Sequence, residues 1–294
     1  FGPTGSRVVI DNVTLATDSE LAVDAGADQT VDEGQIFTAT GSFTDPDIDD
    51  HWTAVVDYGD GTGRQPLDLT GTTFRLDHVY ADDGQYIATV EITDSQGHAG
   101  NDTVGVTVQN VAPKLADLLA TATDESGVTT LTGQIVDPGT LDTFTLDIDW
   151  GDPLSPNNTE TYTFGPSANG SQTFSLTHRY LDDNPSGTPS DLYTIDLGVR
   201  DDDTGTDQGA ATLTVFNVAP VVGPDIATQS VQYGGAIKDV VFTASDRSLL
   251  DTMNVQASYR LDGGAFVAGL PDALTLVGGL SLDGVADQKT PATW

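Results

Sequence analysis

Apolar side chains along this chain fall on alternate positions. Trp52, Ala54, Val56 and Tyr58 form one such run, Tyr86, Ala88, Val90 and Ile92 a second, and Val104, Val106 and Val108 a third. The pattern returns in Phe144, Leu146, Ile148 and Trp150, in Phe174, Leu176, His178 and Tyr180, and in Tyr193, Ile195, Leu197 and Val199. Alternation of this kind turns one face of a strand to a core and the other to water. No segment shows the 3.6-residue period of an amphipathic helix. Short strands separated by turn-forming residues, in units of about 100 residues, predict an all-β chain of antiparallel sandwiches.

The chain also repeats itself. Tyr58-Gly59-Asp60 matches Trp150-Gly151-Asp152, His78-Val79-Tyr80 matches His178-Arg179-Tyr180, and Asp82-Asp83 matches Asp182-Asp183. Asp94 matches Asp201, and "NVAP" closes both units, at 110–113 and 217–220. The separation between matching landmarks grows from 92 residues at Tyr58/Trp150 to 100 at His78/His178 and 107 at Asp94/Asp201. The second unit therefore carries insertions, and "SPNNTE", "GPSANG" and "NPSGTPS" are rich enough in turn formers to place them in loops. Pro113 and Pro220, directly after each unit's last strand, cannot donate to a ladder and restrain the junctions.

These motifs resemble those of PKD domains, Ig-like sandwiches of surface and secreted proteins. "DYGDGTG" and "DWGDPLS" stand for the family's W-G-D-G turn, and "HVYADDGQYIATVEITDSQG" for its H-x-Y-x-x-x-G-x-Y segment. The likeness spans residues 20 to 220. Unit two departs from it with Pro153 in place of the second glycine and Asn184 in place of the glycine after the Asp pair. The expected organisation is a remnant of a preceding β domain at 1–19, a PKD-like sandwich at 20–113, a second at 114–220, and an incomplete Ig-like unit at 221–294. "RVVIDNVTLA" in the first stretch resembles the closing strand of jelly-roll lectin-like domains. "LPDALTLVGGLSLDG" in the last resembles Ig-like repeats of large bacterial surface proteins.

Composition narrows the partners. The 45 acidic and 10 basic residues give a formal net charge of −35, which repels phosphate backbones and anionic bilayers. No apolar run reaches the roughly 20 residues of a membrane-spanning helix. Cysteine is absent, removing disulfides, thiolate metal sites and cysteine nucleophiles together. The chain, which opens on Phe1, is read as a piece of a longer protein.

Candidate chemistry is sparse. There is no G-x-S-x-G and no H-E-x-x-H. His78 and His178 repeat at equivalent places, as do Tyr80 and Tyr180, which fold explains more simply than an active site. The tyrosines are expected to act as braces of the tyrosine-corner kind, bonded to nearby backbone. Gly59 and Gly61 supply positive φ at the turn and Asp60 caps its amides. Tyr58 and Trp150 continue the apolar face and are read as core, with Gly151 and Asp152 completing the second turn. The one sharper candidate is calcium, at "DPDIDD": Asp45, Asp47 and Asp49 alternate, with Asp50 adjoining, and hard cations favour such oxygen clusters. It is not an EF-hand, since Asp50 stands where glycine is needed and Val56 where glutamate is needed. The second unit keeps only Asp137 and Asp142 in that loop.

The resemblance implies an extracellular, secreted or cell-surface module that is not a catalyst: a stalk, spacer or adhesive array beside neighbouring domains of the same chain. The alternative is a glycan- or protein-binding accessory region of a secreted hydrolase.

Overall fold

The computed structural model describes residues 21–46, 51–183, 188–223, 241–248, 251, 258–259, 267–268 and 290–293. "RVVIDNVTLA" and "LPDALTLVGGLSLDG" lie outside these residues. Among the described residues there is no helix, and strands dominate. The chain divides into two compact units, residues 1–111 with 138–141, and residues 112–137 with 142–294.

The first unit is a sandwich of two sheets. One sheet runs β1 (Ala22–Asp24), β3 (Ile36–Thr44), β7 (Thr73–Val79), β6 (Leu69–Thr70). The other runs β2 (Gln29–Asp32), β9 (Ala99–Gln109), β8 (Gly84–Thr93), β4 (Thr53–Asp57), β5 (Gln65–Leu67). All ladders are antiparallel except β2 on β9, which is parallel with Gln29 opposite Val106. In β3 every second residue is buried along all nine positions, and its Phe37, Ala39 and Phe43 meet Val56, Ala88, Val90, Ile92, Val104 and Val106 of the facing sheet in one core. This is the period-two pattern realised as two apolar faces pressed together.

The second unit repeats the plan. β10 (Lys114–Ala120), β12 (Val128–Val136) and β15 (Ser171–Arg179) form one sheet. β11 (Thr123–Asp124), β17 (Thr206–Phe216), β16 (Ser190–Arg200), β13 (Phe144–Asp149) and β14 (Thr159–Phe164) form the other. β11 again pairs in parallel with the last strand of the unit, Thr123 opposite Val215. Trp150, Tyr180, Leu131, Ile135, Leu146, Ile148 and Ile195 are among the large residues of its core. After the sandwich, β18 (Val221–Gly223) pairs antiparallel with β19 (Val241–Ser245), and these residues group with the second unit.

The insertions sit where turn chemistry places them, with one difference. "GPSANG" is a loop between β14 and β15, but the last two residues of "SPNNTE", Thr159 and Glu160, open β14 and pair with Asp149 and Ile148. Threonine and the adjoining Tyr162 favour a strand, so the insertion lengthens a hairpin as well as its turn. Residues 184–187 of "NPSGTPS" lie outside the described residues.

Ile195 is fully buried in β16. Ile195→Ala should lower the stability of the second unit by about 2–5 kcal/mol, the usual cost of truncating a core aliphatic, read as a shift in its urea midpoint.

Candidate functional site

The repeated motif residues gather into one cluster in each unit. In the first, Tyr58 leaves β4 buried, and its ring stacks on the imidazole of His78 at 4.1 Å between centroids and 7° between planes. His78 meets Tyr80 edge-on at 4.7 Å, and its Nε2 lies 2.7 Å from Asp60 Oδ2. The Tyr80 hydroxyl donates to the Tyr58 carbonyl at 3.1 Å. In the second unit Trp150 stacks on His178 at 4.8 Å and 12°, His178 meets Tyr180 edge-on at 4.9 Å, and Asp152 Oδ2 lies 3.3 Å from His178 Nε2. The Tyr180 hydroxyl donates to the Trp150 carbonyl at 2.6 Å, while the indole N–H donates to Glu160 Oε2 at 2.9 Å.

These tyrosines brace a different part of the chain from the one expected. Tyr80 and Tyr180 reach back to the turn after β4 or β13, 22 and 30 residues upstream. Local bracing of the tyrosine-corner kind falls instead to Tyr86, whose hydroxyl bonds the carbonyls of Asp82 and Asp83, and to Tyr193, bonded to the carbonyl of Asp182. Burial pushes the phenols of Tyr80 and Tyr180 above their ordinary value, so both stay donors across the physiological range.

The turn itself explains its glycines. Gly59 and Gly151 have φ of 76° and 68°, and a Cβ at either would come within 2.7 Å and 2.2 Å of a carbonyl oxygen on the neighbouring strand, Ile87 or Thr194. Gly61 has φ of 85° with open space around it; Pro153 at the matching position cannot adopt a positive φ, so the second turn takes a different backbone path there. Asp60 accepts from the Thr62 amide at 3.0 Å and the Thr62 hydroxyl at 2.6 Å. Burial alone would raise its carboxyl, but the bonds from Thr62 and then His78 outweigh burial and hold it below its ordinary value. The Asp–His pairs differ in cover: Asp152 and His178 are 2% and 5% exposed, whereas the side chains of His78 and Asp60 are 13% and 14% exposed. In both units the pair ties the turn to the strand that carries the histidine.

Of the candidate calcium loop, Asp45 is described and Asp47, Asp49 and Asp50 lie outside the described residues. Asp45 Oδ2 accepts the Trp52 indole N–H at 2.7 Å, an anchor for the strand that follows.

Acidic groups that could hold a metal ion occur elsewhere. In the second unit, carboxylate oxygens of Glu125, Asp182 and Asp183, and likewise of Glu125, Asp246 and Asp251, lie within 4.8 Å of one another. Glu125 is fully buried, one residue beyond β11, and its Oε1 accepts the Val218 amide at 2.8 Å. Glu33 occupies the same place in the first unit and accepts the Val111 amide at 2.7 Å. Sequence reading passed over both glutamates. The signal was available: Glu33 and Glu125 are separated by 92 residues, the separation of Tyr58 and Trp150. Burial, then the nearby Asp251, Asp246 and Asp183 charges, push the Glu125 carboxyl up to about 7; burial also raises Asp183 and Asp251. An open groove of about 560 Å³ crosses the outer face of β13, β14, β16 and β17. Its Asp147 is committed to Thr161 at 2.6 Å and Arg200 at 2.7 Å.

A sequence profile of the PKD domain matches residues 19–108. These residues form a PKD domain. The second unit repeats the cluster of that PKD domain and its strand order, without a counterpart of β6. Among solved structures, the chain is similar to the tetra-tandem repeat in the extending region of a large adhesion protein, at 19% identity, 91% coverage of this chain, 66% of that one and a TM-score of 0.38. It is also similar to a protein of Corynebacterium diphtheriae described as membrane anchored, at 11% identity, 71% and 60% coverage and a TM-score of 0.23. The chain thus spans somewhat less than two thirds of the length of either. No curated protein sequence matches it. Among the described residues, no helix is long and apolar enough to cross a membrane.

Gly151→Ala should destabilise the second unit by about 1–3 kcal/mol or more, since strain and a backbone clash add, whereas Gly61→Ala in the PKD domain should cost less. Thermal melts of the two variants make the comparison. In chelator, stability should fall as pH rises from about 4.5 towards 7, because folded Glu125 holds its proton to about 7 against an ordinary 4.5 and so binds more protons than the unfolded chain in that window. Glu125→Gln should flatten that decline, measured as urea midpoints across the range.

Proposed function

We propose that this chain is a non-catalytic extracellular module, a stalk or spacer of tandem PKD-like domains within a larger secreted or cell-surface protein. The observation that carries the reading is the repeated motif itself. In both units its aromatic, histidine, tyrosine and aspartate side chains turn inward and bond to one another and to the turn. What the units have in common is therefore a way of closing a sandwich, repeated in series, as a spacer requires. The net charge of −35 supports an array kept soluble by self-repulsion.

A spacer is indifferent to its exposed side chains, and a binding module is not. The full chain should show no saturable binding on a glycan array or to a panel of extracellular proteins at physiological salt. Displayed between a surface anchor and an epitope, it should keep the epitope accessible when exposed polar side chains of the groove that bond no turn, such as Asp196 and Gln208, are changed to Ala. A glycan or protein bound saturably, and lost with those substitutions, would replace the spacer reading with the adhesive or accessory one.

A further inference from the structure

We infer that Glu125, Asp182, Asp183, Asp246 and Asp251 form a binding site for a divalent cation of the calcium class, tying the segment after the second sandwich to it. The inference rests on the geometry of these acids and not on the spacer reading.

Two triplets share Glu125, each with carboxylate oxygens within 4.8 Å of one another. Calcium takes oxygens at about 2.3–2.6 Å, so ligands on opposite sides of one ion stand about 4.8 Å apart. The second observation is an unmet bonding need. Glu125 is 0% exposed; its Oε1 is taken by the Val218 amide, but its Oε2 is buried with no hydrogen-bond partner. Asp183, 4% exposed, buries an unpartnered Oδ2 in the same group. A buried carboxylate oxygen without a donor is costly. Among the described residues no Lys or Arg pairs with any of the five; Arg247 turns to Asp124 at 3.5 Å. One cation would satisfy both orphaned oxygens and neutralise the crowding.

The protein also holds the last two acids in place. The Ser126 hydroxyl donates to the Arg247 carbonyl at 2.5 Å, and the Ser248 hydroxyl donates to Asp182 Oδ1 at 3.1 Å. The amides of Ser248 and Asp251 bond Asp246 Oδ1 and the Ser248 hydroxyl. As a pattern of sequence the set is not unique. Glu33, Asp82, Asp83, Asp137 and Asp142 precede it in the same order, 92, 100, 100, 109 and 109 residues earlier. Chance acids in an acidic chain would not keep five places in step with the repeat. An all-carboxylate set without His or Cys suits a hard cation, and an irregular arrangement of carboxylates suits calcium over magnesium, which demands a near-ideal octahedron.

The test is calorimetric titration of the metal-free full chain with calcium chloride at physiological salt, beside the variant Glu125→Gln/Asp246→Asn/Asp251→Asn. The variant should bind with one saturable site fewer. An unchanged number of sites, or no saturable binding by the wild type at millimolar calcium, would overturn the proposal. Hydrogen exchange on the wild-type chain removes any dependence on the variant's folding. Calcium at a hundred times its dissociation constant should slow exchange through local opening at 124–127, at 181–183, and at 245–248 with 251, by about 100-fold. No slowing at any of the three, or equal slowing by the same concentration of magnesium, would count against the assignment.

Discussion

The bond from a buried tyrosine hydroxyl to a carbonyl in the turn after β4 or β13 is the constraint on which the rest of each unit depends. The turn must leave the sheet with its aromatic side chain still facing the core, which brings the carbonyl of Tyr58 or Trp150 inside with it. A carbonyl there needs a donor, and Tyr80 or Tyr180 supplies it from the opposite sheet. That bond fixes the histidine two residues before the tyrosine under the aromatic ring. The histidine in turn meets the turn's aspartate, and the positive φ of Gly59 and Gly151 follows from the same path. Remove the hydroxyl, and the remaining members lose the reason for their positions.

The two units show which parts of this arrangement tolerate change. Tyr58 becomes Trp150, and the bond of the Tyr58 hydroxyl to the Asp77 carbonyl is exchanged for one from the indole to Glu160, on the strand that the inserted residues help to build. The Asp–His distance lengthens from 2.7 to 3.3 Å while the stacking and edge-on contacts persist. Gly61 gives way to Pro153 and a different backbone path, and Gly59 is kept as Gly151 where a strand carbonyl leaves no space. The invariant element is thus the geometry of closure, and side-chain size adjusts around it.

Much of this was legible in the sequence because it rests on short-range rules. Alternation at Tyr86 to Ile92 or Phe144 to Trp150 names the strands and their buried faces, and the repeated H-x-Y and G-D residues mark the turn. Long-range partnerships were not legible. Nothing near Tyr80 reveals that its hydroxyl reaches back to residue 58, and the local corner was therefore expected of Tyr80 when Tyr86 makes it. Glu125 was missed for a similar reason. A lone glutamate among 45 acidic residues carries no signal until folding buries it against acids 57 to 126 residues further on. The acidic stretch that did stand out, Asp45 to Asp50, includes an aspartate engaged with an indole.

The parallel pairing of β2 with β9, and of β11 with β17, has a mechanical consequence. In each unit a strand near the unit's beginning lies alongside its closing strand and points the same way. Tension applied through the two ends of such a unit slides these neighbours past each other, so the ladder's hydrogen bonds are strained together. An antiparallel hairpin opened from its free end would lose them one at a time. A unit wired in this way yields to pulling only when several bonds fail in concert, which resists extension more strongly than equilibrium stability alone would suggest.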